Sequence, residues 1–318
     1  MRLGVVASRL AATLAVLVAA MALLFALTLA IPGDPAAAML GPRATPEATA
    51  SITRQMGLDQ PVPIRLWRFA GLLATGDFGT DIVSGRPIRD MVFEVLPFTL
   101  ALAGTAIGLA LALGFPAGIH AATHPGRISD RLLALVSVAF VAVPNFVVAI
   151  GLLLVFSLRL RWLPVQGAGE TDDLLDQVRH LALPALAIGL GWIGYIARLV
   201  RASLLEVLGQ PYIRTARAFG IGGFRLTWKL ALRNAAIPTL AALGVGFGRL
   251  LGGAVFAEII FARPGLGTLI FQAIRARNYP VVQAGVFVTV LLFVATNLVV
   301  DALFLWLDPR LRAEAERL

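Results

Sequence analysis

Apolar residues in this sequence are gathered into long uninterrupted blocks instead of being spaced at helical intervals along polar segments. Six blocks stand out: Leu10 to Ile31, Leu96 to Ile119, Leu132 to Leu158, Leu181 to Ala197, Ala235 to Ala257 and Val281 to Leu307. Each is close to the roughly 20 residues that a helix needs to cross a bilayer. Hydrocarbon offers the backbone no hydrogen-bond partner, so each block is predicted as a transmembrane helix and the whole as an all-α membrane bundle. The first block follows Arg2 and Arg9, as a secretory signal would. Its apolar run outlasts the roughly 7 to 15 residues of such a signal, so it is read as a membrane helix. Pro144, Pro184 and Pro238 fall inside the third, fourth and fifth blocks, where a missing backbone donor predicts kinks.

Composition agrees with a lipid environment. Only 14% of the 318 residues are charged and mean hydropathy is +0.85, against roughly 25% charged in soluble domains. There is no cysteine, which removes disulfides, thiolate metal sites and cysteine nucleophiles. The net charge of +9 raises the question of nucleic acid, but its distribution answers it. Fourteen Lys and Arg residues lie on the side of the termini, against six in the short loops opposite. Cytoplasmic loops gather such residues, so both termini are predicted in the cytoplasm and no nucleic-acid partner is expected. The loop from Pro32 to Val95 then lies outside. Rich in Pro and Gly, with an amphipathic stretch from Glu47 to Met56, it reads either as a cap on the bundle or as a docking surface for an external partner.

The connection between the fourth and fifth blocks carries most of the functional signal. After a Gly209-Gln210-Pro211 break, Pro211 is placed to open a short helix and Gly220 to end it. Tyr212, Ala216 and Phe219 are spaced to share an apolar face, and Arg214 and Arg217 to meet a charged partner. Two readings fit: a helix seated in a groove of another protein, or one lying on anionic lipid.

The run from Tyr212 to Gly220, followed by Leu230 to Pro238, resembles the EAA loop of ABC importer permeases in their oligopeptide, dipeptide and nickel branch. Where the general motif has Glu-Ala-Ala, this chain has Arg214-Thr215-Ala216, as the peptide branch does. Similar in order and spacing are Pro32-Gly33-Asp34-Pro35, Gly76-Asp77-Phe78-Gly79, Leu96-Pro97 with Thr99, Gly252-Gly253, Pro264-Gly265-Leu266-Gly267 and Asn297 with Asp301. The resemblance implies a six-transmembrane-helix type I ABC importer permease bundle with a large external loop after the first helix. It divides the chain into a first helix and external loop (1–95), a permease core (96–310) and a cytoplasmic tail (311–318). It implies that Arg214, Thr215, Ala216, Arg217, Phe219 and Gly220 form a coupling helix against an ATPase. A second homologous permease, two ATP-binding-cassette subunits carrying ATP and Mg, and an external substrate-binding protein complete the implied assembly in a bacterial inner membrane. Cargo in that branch includes dipeptides, longer peptides, nickel chelates and glutathione, and a peptide is expected here.

No chemistry of the chain's own competes with that reading. Its one lysine, Lys229, stands outside any Gly-x-x-x-x-Gly-Lys loop, so nucleotide is not expected to bind here. Neither a nucleophile elbow nor a His-Glu-x-x-His zinc pair is present, so no catalytic, cofactor or metal residue is assigned. His120 and His124 read as a helix end, and Glu170, Asp172, Asp173 and Asp176 as a solvated face. A self-sufficient secondary transporter would need a central carboxylate or ion site, which does not stand out. Arg249, inside the fifth block, is expected to line the passage or to pair across a subunit interface. Glu258, Asn297 and Asp301 are read as packing or snorkelling groups in the same two settings.

Overall fold

In the computed structural model, which describes residues 3–30, 35–40, 44–55 and 59–307, every predicted block is built of helix. Helix α1 (Leu3–Ala30) covers the first block as far as Ala30, and Ile31 lies outside the described residues. The loop after it carries α2 (Pro35–Leu40), α3 (Pro46–Gln55) and α4 (Val62–Thr75). Helices α5 (Ile88–Thr123), α8 (Leu174–Leu208) and α13 (Tyr279–Leu307) are long and apolar enough to cross a membrane. Between them come α6 (Ile128–Ala142), α7 (Asn145–Leu152), α9 (Pro211–Ala218), α10 (Leu232–Ala235), α11 (Ile237–Ile260) and α12 (Leu266–Arg275). Among the described residues the only β-pairing is an isolated bridge between Thr80 and Pro87.

The three prolines act differently, according to where each falls in its helix. Pro144 breaks its block: Val143 and Pro144 are both extended, and α6 meets α7 with its π-helical continuation Leu153–Arg159 at 100°. A proline pushes the preceding residue out of helical conformation, and Val143 obeys. The single kinked span expected from Leu132 to Leu158 is thus two helices at a sharp angle. Pro184 sits within an unbroken α8, and Pro238 falls in the first turn of α11, where a backbone donor has no partner to lose.

The chain divides into two units. The first comprises residues up to Thr99 together with Pro264–Ala295. Its core joins Ile88 and Val92 of α5, Leu266 and Ala273 of α12, and Val281, Ala284 and Val288 of α13. Thr99 Oγ1 accepts the Leu266 N–H at 2.8 Å, satisfying one of the orphan donors at the start of α12. Arg65 of α4 lies 5.6 Å over the ring of Phe25, tying the loop helices to α1 by a cation–π contact. Asp81 is the buried hub of the loop before α5. It accepts the backbone N–H groups of Val83 and Ser84, the Ser84 hydroxyl and the Asn278 amide.

The second unit comprises, among the described residues, Leu100–Arg263 and 296–307. It is organised around α8, whose start is capped by Asp173: Oδ1 accepts from Leu175 and Asp176 N–H, so part of the acidic run is a helix cap. Gly114 and Gly118, four apart on α5, bring that helix against α8. A Cβ on Gly118 would lie 2.5 Å from the Ala197 carbonyl oxygen and 2.8 Å from Val200 Cβ. Such small-residue pairs let helix backbones approach where lipid gives no hydrophobic drive between helices. Ile196, Val200 and Leu204 of α8 fill the space below this contact with Ile119 of α5 and Leu226.

Candidate functional site

Helix α9 begins and ends where its sequence dictates. Gln210 is extended, Pro211 supplies a preset φ in the first turn, and the Thr215 hydroxyl bonds back to the Pro211 carbonyl at 3.1 Å. At the other end, Gly220 N–H donates to Arg217 O at 3.0 Å and Ile221 N–H to Ala216 O at 3.1 Å. With Gly220 at φ +79°, this pair of bonds is a Schellman cap, which requires the left-handed conformation that glycine adopts without strain.

What α9 buries differs from the expected stripe. Ile213 is the residue fully removed from solvent, packed with Leu204, Leu226 and Ala231, while Ala216 is half-buried beside it. Tyr212 remains exposed and its hydroxyl accepts from the Asn234 amide at 2.8 Å. Phe219 is 83% exposed, and Arg214, Thr215 and Arg217 are exposed with it. A π-helical stretch, Arg225–Ala231, follows α9, and there Phe224 stacks on Trp228 with ring centroids 5.4 Å apart. Ile213 therefore anchors the helix, and its exposed surface presents Phe219 and Tyr212 among arginines. Burying an isoleucine contributes about 1.5 to 3 kcal/mol, enough to hold so short a helix in place.

Elsewhere in the second unit lies a cavity of about 420 Å³. Phe140 of α6, Asn145 of α7, Trp192 and Tyr195 of α8, and Gly246 and Arg249 of α11 line it. The Pro144 break sets Asn145 at the head of α7, where its amide approaches Gly253. Trp192 lies against the backbone of α11, so that a Cβ on Gly246 would overlap the indole ring. Trp192 and Tyr195 meet edge to face at 5.7 Å. Arg249 is exposed to this space, thirteenth of the 24 residues of α11 and hence near its middle.

Glu258 and Asn297 fall apart from this cavity's lining. Glu258 is fully buried near the end of α11 and acts electrostatically on buried Arg263, a partner that spacing alone did not reveal. Full burial also means that Glu258 does not snorkel to the surface. Asn297 is half-buried, its Oδ1 close to Gly244, and the side chain of Asp301 lies outside the described residues. His120 and His124 stack at 4.6 Å at the end of α5. Sequence reasoning also passed over Trp192, Tyr195 and Asn145, because each reads as ordinary membrane-helix filling until the Pro144 break brings them together.

Comparisons with known proteins come from three directions. Residues 114–313 match the family model described as binding-protein-dependent transport system inner membrane component, and residues 2–103 match the model for the N-terminal part of such membrane components. A probable peptide ABC transporter permease of Sinorhizobium fredii is 36% identical, over 96% of this chain and 97% of its own length. A probable D,D-dipeptide transport system permease of Escherichia coli is 38% identical over 88% and 89%. The glutathione transport system permease of Escherichia coli is 39% identical over 89% and 90%. Among solved structures, the inward-facing MetNI methionine ABC transporter matches with a TM-score of 0.57 at 19% identity, covering 69% of this chain and 96% of that one.

Proposed function

Since the chain belongs to the family of binding-protein-dependent transport system inner membrane components, we propose that it passes short peptides across the membrane and that α9 couples it to ATPase subunits. Its role as a multi-pass membrane permease subunit of an ABC importer follows from the family and the relatives, and its fold is that of such permeases. Three relatives of nearly equal identity are named for peptides, D,D-dipeptides and glutathione, which have the peptide bond in common. That shared chemistry supports the cargo class. ATP and Mg then bind the partner ATPases, two of them beneath a pair of unlike permeases, while an external binding protein delivers the peptide. The count of basic residues supports a cytoplasmic position for both termini and for α9.

The observation that carries the coupling role is the free side of α9. A helix pinned by Ile213, capped at Gly220 and offering exposed Phe219 with Arg214 and Arg217 is a rigid plug of the shape that fits a groove. Purification of the tagged chain from its native membrane, with its companions identified, tests the assembly. Recovery of a second permease and a P-loop ATPase, and ATP-dependent peptide uptake after reconstitution, is the expected result. A lone chain that transports without ATP overturns the proposal.

A further inference from the structure

The cavity beside Arg249 combines features that a packing void lacks. Its volume of about 420 Å³ lies in the range of small-molecule sites. Among the described residues no acidic side chain lines it, and no group hydrogen-bonds or ion-pairs with the Arg249 guanidinium or the Asn145 amide. An arginine halfway along a membrane helix is costly unless it meets an anion or water, so a cation left open in a cavity is matched to an anionic visitor. Its planar fork suits a carboxylate, which it holds through two parallel bonds. Around it, the Asn145 amide offers both a donor and an acceptor, and Phe140, Trp192 and Tyr195 supply aromatic faces for an apolar or aromatic side chain.

We infer that this cavity is a station in the passage that takes the carboxylate end of a short peptide, with Arg249 on the carboxylate and the three aromatic residues around the adjoining side chain. The inference rests on the peptide-permease reading and narrows it: selection for a free carboxyl terminus resides in this chain as well as in whatever delivers the cargo. Trp192 held against Gly246 fixes one wall, and the 100° turn at Pro144 fixes the other by setting Asn145 at the helix head.

The natural absence of cysteine in the chain supplies the test. Ala242, in the cavity wall, is replaced by cysteine (Ala242→Cys) and the assembled importer is treated with an anionic or a cationic methanethiosulfonate reagent of equal size. Labelling of this chain is read by mass spectrometry. With each rate divided by that reagent's own rate toward a small thiol in solution, which removes the thiolate's preference for cations, the anionic reagent is expected to react about tenfold faster, a ratio that corresponds to about 1.4 kcal/mol of electrostatic preference. The ratio should fall close to one when Arg249→Gln is added and persist with Arg249→Lys. Alanyl-phenylalanine should slow the labelling, its C-terminal amide should not, and Arg249→Gln should abolish the protection. Equal normalised rates for the two reagents, or a ratio indifferent to Arg249→Gln, overturn the inference. So does dissociation of the assembly with both Arg249 variants, which assigns the residue to a subunit contact. A charge preference that depends on Arg249 but is unaffected by either peptide strikes instead at the peptide-cargo reading.

Discussion

Asp130, at the start of α6, receives both Nε and Nη2 of Arg201 from α8, at 2.5 and 2.8 Å, across 71 residues of sequence. The same carboxylate accepts the Gly126 N–H at 2.9 Å, so one buried group closes the α5–α6 turn and locks it to α8. Removing it strands a guanidinium and a backbone donor together. Asp130→Ala is expected to lower the melting temperature of the detergent-solubilised protein by several degrees. Exchanging the two residues, Asp130→Arg with Arg201→Asp, should recover part of the loss, as thermal unfolding will show.

Gly220 separates backbone strain from side-chain loss. At φ +79° with open space around its Cα, it meets no steric obstacle other than its own conformation. Left-handed backbone costs an ordinary residue roughly 1 to 2 kcal/mol, and asparagine less. ATP-driven uptake should therefore fall in the order Gly, Asn, Ala, Val at this position, with the valine variant reduced at least about tenfold, which is the 1.4 kcal/mol scale of that strain. Membrane insertion, followed by immunoblotting, should be unchanged throughout.

Ile213, buried in α9, and Phe219, exposed at its C-cap, should fail differently. Truncating Ile213 to alanine empties a packed site and is expected to cost about 2 to 5 kcal/mol of stability. Phe219→Ala removes a ring already in solvent, so stability should hold while uptake and cargo-stimulated ATP hydrolysis drop. Parallel melting curves and transport assays distinguish the two.

Asp81 sets a pH limit on the first unit. Burial alone would raise its carboxyl, but hydrogen bonds from Ser84, Asn278 and Val83 outweigh that and hold it below its ordinary value of 3.8. A folded pKa below the unfolded one gives stability that is complete above 3.8 and lost as pH falls through the lowered folded value. Protection of the Val83 and Ser84 amides, measured against the intrinsic exchange rate at each pH, should thus be high at neutral pH and be lost only in strong acid. In Asp81→Asn that protection should be low at every pH.

Much of this architecture was legible in the sequence because lipid imposes simple demands: long apolar blocks, and proline and glycine as punctuation. The bounds of α9 follow from Pro211 and Gly220 alone. Its buried side did not, because Ile213 with Ala216 competes with Tyr212, Ala216 and Phe219 as a local stripe. Leu204 and Leu226, which decide between them, come from elements on either side. Pro144, Pro184 and Pro238 looked equivalent as residues, yet only the first interrupts a helix. Asp130 with Arg201, and the wall around Arg249, depend on which helices meet, and no local period encodes that.

Helix α8 is longer than the membrane is thick. Its 35 residues make a rod of about 50 Å at 1.5 Å per residue, well beyond the roughly 30 Å of hydrocarbon. Near one end Leu204 grips the anchor of α9, and Trp192 and Tyr195 sit toward its centre in the cavity wall. A stiff rod gripped near its end is a lever. If α9 is displaced, as the proposed coupling requires, a rigid tilt of α8 would carry the aromatic wall with it, without any relay of intervening side chains.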